Sequence, residues 1–198
     1  MKLSSSVLVL FVLLGLAQAA SAQEGFSEAT PRFQLYGGYD FLRTNVTTES
    51  NGSYTHSVYT LHGGGAQFIY NVNNWVGVVS ELSGYALISG TANIQPALMT
   101  YLGGPRFNLH RGRVTPYVHT LFGGAFSKDG INDVGYTSVF GMAVGGGVDF
   151  RVSRHVAFRP LQTEYFLMRF PDGANNRQNG FRYGSGVVFR LGRAHQPA

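Results

Sequence analysis

The sequence predicts an all-β fold, an eight-stranded antiparallel up-and-down transmembrane β-barrel, on three observations. Eight stretches alternate large apolar residues with small or polar ones at period two, the mark of a strand whose faces meet different surroundings. Their connections alternate between long polar segments and short turns. The chain also combines 27 glycines and 14 % aromatic residues with only 13 % charged residues. Soluble surfaces carry about 25–35 % charged residues, so much of this surface is not built for water.

The first 22 residues read as a secretory signal peptide: Lys2, an apolar block from Val7 to Ala17, then Ala20-Ser21-Ala22 before Gln23. The block falls short of the roughly 20 residues of a spanning helix. There is no cysteine, which removes both a lipidated N-terminus and a disulfide framework. Residues 23–198 are then expected to form one barrel domain. No later segment has the uninterrupted apolar length of a membrane helix, and a closed barrel is the other way to span a bilayer.

The strands follow in order. Residues 32–43 place Phe33, Leu35, Tyr39 and Phe41 on one parity and Gln34, Gly38 and Asp40 on the other. The Asn-, Ser- and Thr-rich residues 44–57 read as a long loop. In 58–70 the alternation blurs at Gly63-Gly64-Gly65, as at a kink or bulge, and the faces stay unassigned. Asn71 to Asn74 is a tight turn. Residues 75–86 oppose Val76, Val78 and Leu82 to Glu81 and Ser83, and a loop from Leu87 to Ile94 leads into 95–109. There Tyr101, Pro105 and Phe107 alternate with Leu102, Arg106 and Asn108.

His110 to Arg113 is a basic turn into 114–126, where Pro116, Val118 and Phe122 oppose Tyr117, His119 and Leu121. A polar loop precedes 137–150, with Phe140, Met142, Val144, Val148 and Phe150 set against glycines, Ala143 and Asp149. In 155–170, Arg159 and Glu164 differ in parity. Both can face one way only if a bulge falls between them, most simply at Pro160. After a loop from Pro171 to Gly180, residues 181–192 (FRYGSGVVFRLG) set Phe181, Tyr183, Val187, Phe189 and Leu191 against Arg182, Gly184, Gly186, Val188 and Arg190.

The charge-bearing parity is interleaved with Gly, Ala and Ser, which suits a narrow barrel interior filled by side chains. The opposite parity is aromatic and aliphatic, and an arginine or lysine on a lipid face costs about 2–4 kcal/mol at the midplane. A soluble eight-stranded barrel reverses this arrangement. Tyr70, Trp75, Phe107, Phe150 and Phe189 are the expected interfacial aromatics, with Phe33, Phe41, Phe170 and Phe181 beside them.

Leader, eight alternating strands and terminal FRYGSGVVFRL together resemble the OmpA-like or OmpX-like family of small outer-membrane β-barrels. The resemblance implies a Gram-negative outer-membrane protein in contact with lipid and lipopolysaccharide, inserted by the barrel-assembly machinery. In that family the last strand commonly carries the assembly signal; here the aromatic alternation runs through Phe189 and Leu191, with residues 192–198 beyond it. No peptidoglycan-binding stretch follows the barrel, so an anchoring role is not expected.

Asp40, Glu81, Arg106, Asp149, Arg159, Glu164, Arg182 and Arg190 are the candidate lumen ion-pair residues, because buried charges must pair. They can form a structural network, or a gate in which an arginine exchanges Glu81 for another carboxylate. His119 invites comparison with barrel lipid A deacylases, which use a His-x-Ser pair, but the second residue after it is Leu121, so the nucleophile is missing. The glycine runs lack the Lys-Ser/Thr and the strand-to-helix junction of a phosphate loop. The histidines show no paired ligand spacing, so no metal or cofactor is expected. Asn45-Val46-Thr47 and Asn51-Gly52-Ser53 match the glycosylation pattern within a region rich in those residues.

The expected function is non-enzymatic: a structural outer-membrane barrel serving envelope integrity. Surface adhesion or ligand binding through residues 45–57 and 171–180 is the alternative, followed by a lipid-modifying enzyme or a narrow gated channel. The arginines do not gather in one basic stripe of the kind that binds nucleic acid.

Overall fold

The structure, a computed structural model, describes residues 30–50, 53–89, 93–109, 112–128, 136–170 and 177–194. The expected leader, residues 1–22, lies outside them, as do the inner parts of several connections. Eight strands form one closed antiparallel barrel in sequence order: β1 (Pro31–Ser50), β2 (Ser53–Asn71), β3 (Val76–Ser89), β4 (Asn93–Asn108), β5 (Val114–Lys128), β6 (Tyr136–Arg151), β7 (Val156–Met168) and β8 (Gln178–Ala194). Closure is made by β1 on β8, from Phe33 opposite Leu191 to Asn45 opposite Asn179. Every strand therefore has two neighbours and no edge runs the length of the sheet.

The strands exceed their sequence-predicted bounds, above all in the first hairpin. Residues 44–57, expected as a loop, mostly continue the ladder, which runs to Ser50 opposite Ser53. The expected loop from Leu87 to Ile94 is likewise mostly strand, with Ser89 opposite Asn93. Among the Asn and Ser of these extensions stand Thr44, Val46, Thr47, Thr48, Tyr54, Ile88 and Ile94, residue types that suit a pleated surface. Large apolar residues are sparse in them, so the alternation that marks a strand fades while the backbone ladder continues. The β1–β2 hairpin projects furthest: the described pairing of β2 with β3 stops at His62 opposite Ala86, and that of β1 with β8 at Asn45 opposite Asn179.

The bulge in the seventh strand is present. Arg159 stands opposite Gly186 and Gln162 opposite Gly184, so β7 spends one more residue than β8 across Pro160 and Leu161. Arg159, Gln162 and Glu164 consequently all point inward and are buried. The β2 faces that the glycines obscured are also defined: Leu61, Gln67, Ile69 and Asn71 are buried, while Phe68 is exposed.

The outer surface is apolar. Leu35, Tyr39, Phe68, Trp75, Val78, Leu82, Tyr101, Phe107, Val118, Phe122, Phe140, Phe158, Phe181, Tyr183 and Phe189 are among its exposed side chains. A water-facing sheet inverts this pattern. The lumen holds a polar layer, mainly toward the short turns, and an apolar layer, mainly toward the long connections, in which Leu42, Leu61, Leu98, Leu102, Leu121, Phe166 and Met168 are backed by Leu87, Val139 and Phe170. Ile69 and Val79 of the same apolar cluster reach into the short-turn half, where Tyr36, Ala157 and Val188 form a smaller one. Phe170, expected in an aromatic girdle, belongs to the apolar layer instead.

Candidate functional site

The polar layer holds two ion clusters. Arg106 on β4 and Arg159 on β7 converge on Asp149 of β6: Arg106 Nη2 donates to Asp149 Oδ2 at 2.7 Å, and Arg159 Nε donates to Asp149 Oδ1 at 2.7 Å. Arg106 Nε also donates to Asn108 Oδ1 at 2.7 Å. Asn108 Nδ2 donates to Asn71 Oδ1 at 3.2 Å, and Asn71 Nδ2 to the Pro31 carbonyl at 2.7 Å. Tyr117 lies between the two cations, its ring centroid 3.6 Å from the Arg106 guanidinium carbon and 4.6 Å from that of Arg159. The negative face of a phenol ring favours a cation there.

The second cluster inverts this stoichiometry. Arg182 on β8 is shared by two carboxylates, with Nη1 donating to Glu81 Oε1 at 2.5 Å and Nε donating to Glu164 Oε2. Glu164 Oε1 also lies 2.5 Å from His119 Nε2. Tyr85 accepts from Arg182 Nη1 at 3.0 Å. The Phe166 ring, 5.4 Å from the guanidinium, begins the apolar layer.

The first cluster carries two cations and one anion, the second one arginine and two carboxylates. Gln67 joins them: its Oε1 accepts from Arg159 Nη1 at 2.7 Å and its Nε2 donates to Glu81 Oε2 at 2.7 Å. Gln162 Oε1 accepts from Arg159 Nη1 at 2.6 Å and from the Tyr117 hydroxyl at 2.8 Å. Side chains from β2 through β8, with a β1 carbonyl, thus close a network around the lumen. Arg106, Arg159, Glu164 and Arg182 are each at most 1 % exposed. Charges so enclosed persist only when paired and hydrogen-bonded.

Of the eight sequence-predicted charges, six are brought together in these clusters. Arg106 bonds not to Glu81 on the adjacent strand but to Asp149. Two of the eight stand apart from the ion pairs. Asp40 is buried in space left by Gly65 and Gly184, where an added Cβ would come within 2.6 and 2.4 Å of its carboxylate oxygens, and its Oδ1 has no protein partner among the described residues. Arg190 lies at the short-turn mouth, lining a shallow recess with Gln34, Asp149 and Arg151.

Tyr70, Trp75, Phe107, Phe150 and Phe189 all face outward near the short-turn end, with Trp75 the most exposed at 65 %. His119 is buried beside Glu164, and Leu121, at the position a deacylase's serine would take, packs inside the apolar layer. Sequence reasoning missed Gln67, Gln162, Asn71 and Tyr117 as network members. Parity with Arg106 and His119 marked Asn108 and Tyr117 as inward, but nothing short of the register marked Gln67.

No protein-family model matches the sequence, and no curated protein matches it. Solved structures match the fold. Neisserial surface protein A (NspA) superposes with a TM-score of 0.59 at 15 % identity, covering 83 % of this chain and all of that one. The N-terminal β-barrel domain of Pseudomonas aeruginosa OprF gives 0.53 at 11 % identity, covering 82 % of this chain and 98 % of that one. In fold, the chain is similar to these small eight-stranded outer-membrane β-barrels.

Proposed function

We propose that this protein is a non-enzymatic Gram-negative outer-membrane barrel with a structural, envelope-supporting role, its interior closed to solute flow. The observation that carries the reading is the pair of lumen layers, an ion network joined to the whole wall and an apolar plug above it. Water-filled outer-membrane channels use about 16–18 strands, whereas eight leave an interior just wide enough for side chains. The apolar outer wall supports a lipid environment, and the short-turn end is assigned to the periplasm. Lipid and lipopolysaccharide are then its lateral neighbours, and the barrel-assembly machinery its partner during insertion.

Fractionation with an unboiled gel tests the reading, combined with single-channel recording in planar bilayers. The expected protein stays with the outer membrane, migrates anomalously until boiled and gives no steady conductance steps. Recovery in the soluble periplasm would overturn it, and a stable open channel would remove the closed interior.

A second reading, surface adhesion, is favoured by the β1–β2 hairpin. The described ladder extends five residues past Asn45, the last β1 residue with a β8 partner, roughly 17 Å along the strand at about 3.3 Å per residue. Deleting residues 46–57 is expected to leave insertion intact; loss of cell attachment in the deletion strain supports adhesion, and unchanged attachment rules it out for this hairpin.

A further inference from the structure

Among the described residues, four carboxylates lie buried in the lumen, Asp40, Glu81, Asp149 and Glu164, against three buried guanidiniums, Arg106, Arg159 and Arg182. All three guanidiniums are bound to the other three acids, and His119 faces Glu164. Of the cations, Arg182 pulls on Asp40 most strongly, yet its Nη1 and Nε are held by Glu81 and Glu164. Arg190 does not stand in for it. Its register partner is Gln34, six residues along β1 from Asp40, or roughly 20 Å at about 3.3 Å per residue. Asp40 is 2 % exposed, and a charge so enclosed is very costly without a counter-charge.

The wall around Asp40 is stripped of side chains. The register sets Asp40 between Gly63 and Gly184, and Gly38 between Gly65 and Gly186, so five inward positions on three neighbouring strands are glycine. Tyr36 lies across this patch: a Cβ added at Gly186 would come within 2.8 Å of its ring, and one at Gly38 would strike its hydroxyl. That hydroxyl is aimed toward Asp40, since a Cβ at Gly184 would touch Asp40 Oδ1 and lie 3.3 Å from the Tyr36 oxygen. On the other flank, a Cβ at Gly65 would lie 2.6 Å from Asp40 Oδ2 and 2.7 Å from Ser83 Oγ. Asp40 Oδ1 and the Tyr36 hydroxyl, on side chains more than nine-tenths buried, have no hydrogen-bond partner among the described residues. Ser83 Oγ donates to Glu81 Oε1 and accepts from Arg182 Nη1, which leaves it one lone pair.

We propose that Asp40, Tyr36 and Ser83 form a binding site for one monovalent metal cation of the sodium class, which supplies the counter-charge that Asp40 lacks. The donors are all oxygen, the set that hard cations take, so histidine spacing gives no sign of the site. One carboxylate balances one positive charge. Among the described residues no three His, Cys, Asp or Glu side chains converge as a divalent ion would require. The site straddles the β1–β8 seam, with Asp40 on one strand and Gly184 and Gly186 on the other. The cation is enclosed when that seam closes, and it is bound rather than conducted.

The test follows urea unfolding of the full chain in neutral-detergent micelles, in sodium chloride and in choline chloride at equal ionic strength, so that screening is matched. Migration on an unboiled gel confirms the folded barrel in each salt. A cation bound only by the folded state stabilises it by mass action. Wild type is therefore expected to show the higher midpoint in sodium, its folding constant rising about tenfold for each tenfold rise in sodium beyond half-saturation. Asp40→Asn, which needs no counter-charge, should fold in both salts with one midpoint. Tyr36→Phe should keep the dependence but need about tenfold more sodium to show it. Wild type refolded in thallium(I) acetate and crystallised should give an anomalous peak among the Asp40, Tyr36 and Ser83 oxygens, and Asp40→Asn none. Equal wild-type midpoints in sodium and choline, a sodium dependence retained by Asp40→Asn, a sodium requirement unchanged in Tyr36→Phe, or no thallium peak overturns the site. Equal midpoints together with a gain in stability for Asp40→Asn would mean that a proton, not a metal cation, neutralises Asp40.

Discussion

Arg159 and Gln67 meet across the lumen, Nη1 to Oε1, at 2.7 Å although 92 residues separate them in the chain. The other end of the same amide donates to Glu81. One neutral side chain thus connects a cation-rich cluster to an anion-rich one with its dipole correctly oriented for both. Replacing Gln67 with Leu leaves a buried carboxylate oxygen and a guanidinium each short of a partner. We expect a loss of about 1–3 kcal/mol, read as a lower denaturant midpoint for unfolding in micelles. The outward substitution Phe68→Leu serves as control and should move the midpoint far less.

Asp149 neutralises two arginines. Asp149→Asn leaves both buried with no counter-charge, and breaking a buried pair costs about 3–5 kcal/mol. Adding Arg106→Met should recover part of that loss, because one of the stranded cations is removed. A double-mutant cycle on the unfolding midpoint measures the coupling, and strict additivity would mean that the Arg106–Asp149 pair contributes nothing specific.

The β7 bulge makes two single-residue deletions differ. Deleting Pro160 restores plain alternation with Arg159, Gln162 and Glu164 all still inward. Deleting Thr163 forces either Gln162 or Glu164 onto the apolar wall. The Pro160 deletion is expected to fold and shift on an unboiled gel, and the Thr163 deletion to give little folded protein. Equal yields would mean that the bulge does not set the inward faces.

Trp75 is the only tryptophan and is exposed on the outer wall beside the β2–β3 turn. Its emission should move to shorter wavelength on insertion into vesicles. Quenching by brominated lipids should be strongest with bromine near the headgroup and weak with bromine at the chain ends. An emission unchanged by vesicles would contradict a lipid-facing belt at this end.

Arg182, shared by Glu81 and Glu164, has the two partners that a switching gate requires. The apolar layer nevertheless lies in series with it, led by Phe166, Leu42 and Leu121. Glu81→Ala is expected to leave planar-bilayer conductance at baseline. Conductance steps appearing in that variant alone would identify the Arg182 pair as a gate.

Much of the barrel was legible because period two survives wherever one face meets an apolar exterior. The inward arginines of 181–192 and the bulge between Arg159 and Glu164 followed from parity alone. In β2, Gly63 to Gly65 carry no side chain to report a face, so the position of Gln67 had no anchor until the pairing with β1 and β3 supplied one. Residues 44–57 read as loop because Asn, Ser and Thr replace the alternation of large apolar residues there, and a ladder held by backbone bonds then leaves no hydropathy trace. Which charges pair was equally hidden: Arg106 finds Asp149 at a sequence separation of 43, a relation set by closure rather than by any local pattern.

That closure also orders events in time. β1 is made first but finds its second neighbour only when β8 arrives, and contacts of such sequence separation form slowly because the loop entropy must be overcome first. Until then the β1 flank from Phe33 to Asn45 offers unpaired donors and acceptors to any passing strand, its own or a stranger's. Arg182 and Arg190 travel on the strand that ends this interval. The act that seals the wall therefore also delivers the cation for Glu81 and Glu164, so an unsealed barrel holds two acids with no arginine between them, and the last strand completes wall and charge balance together.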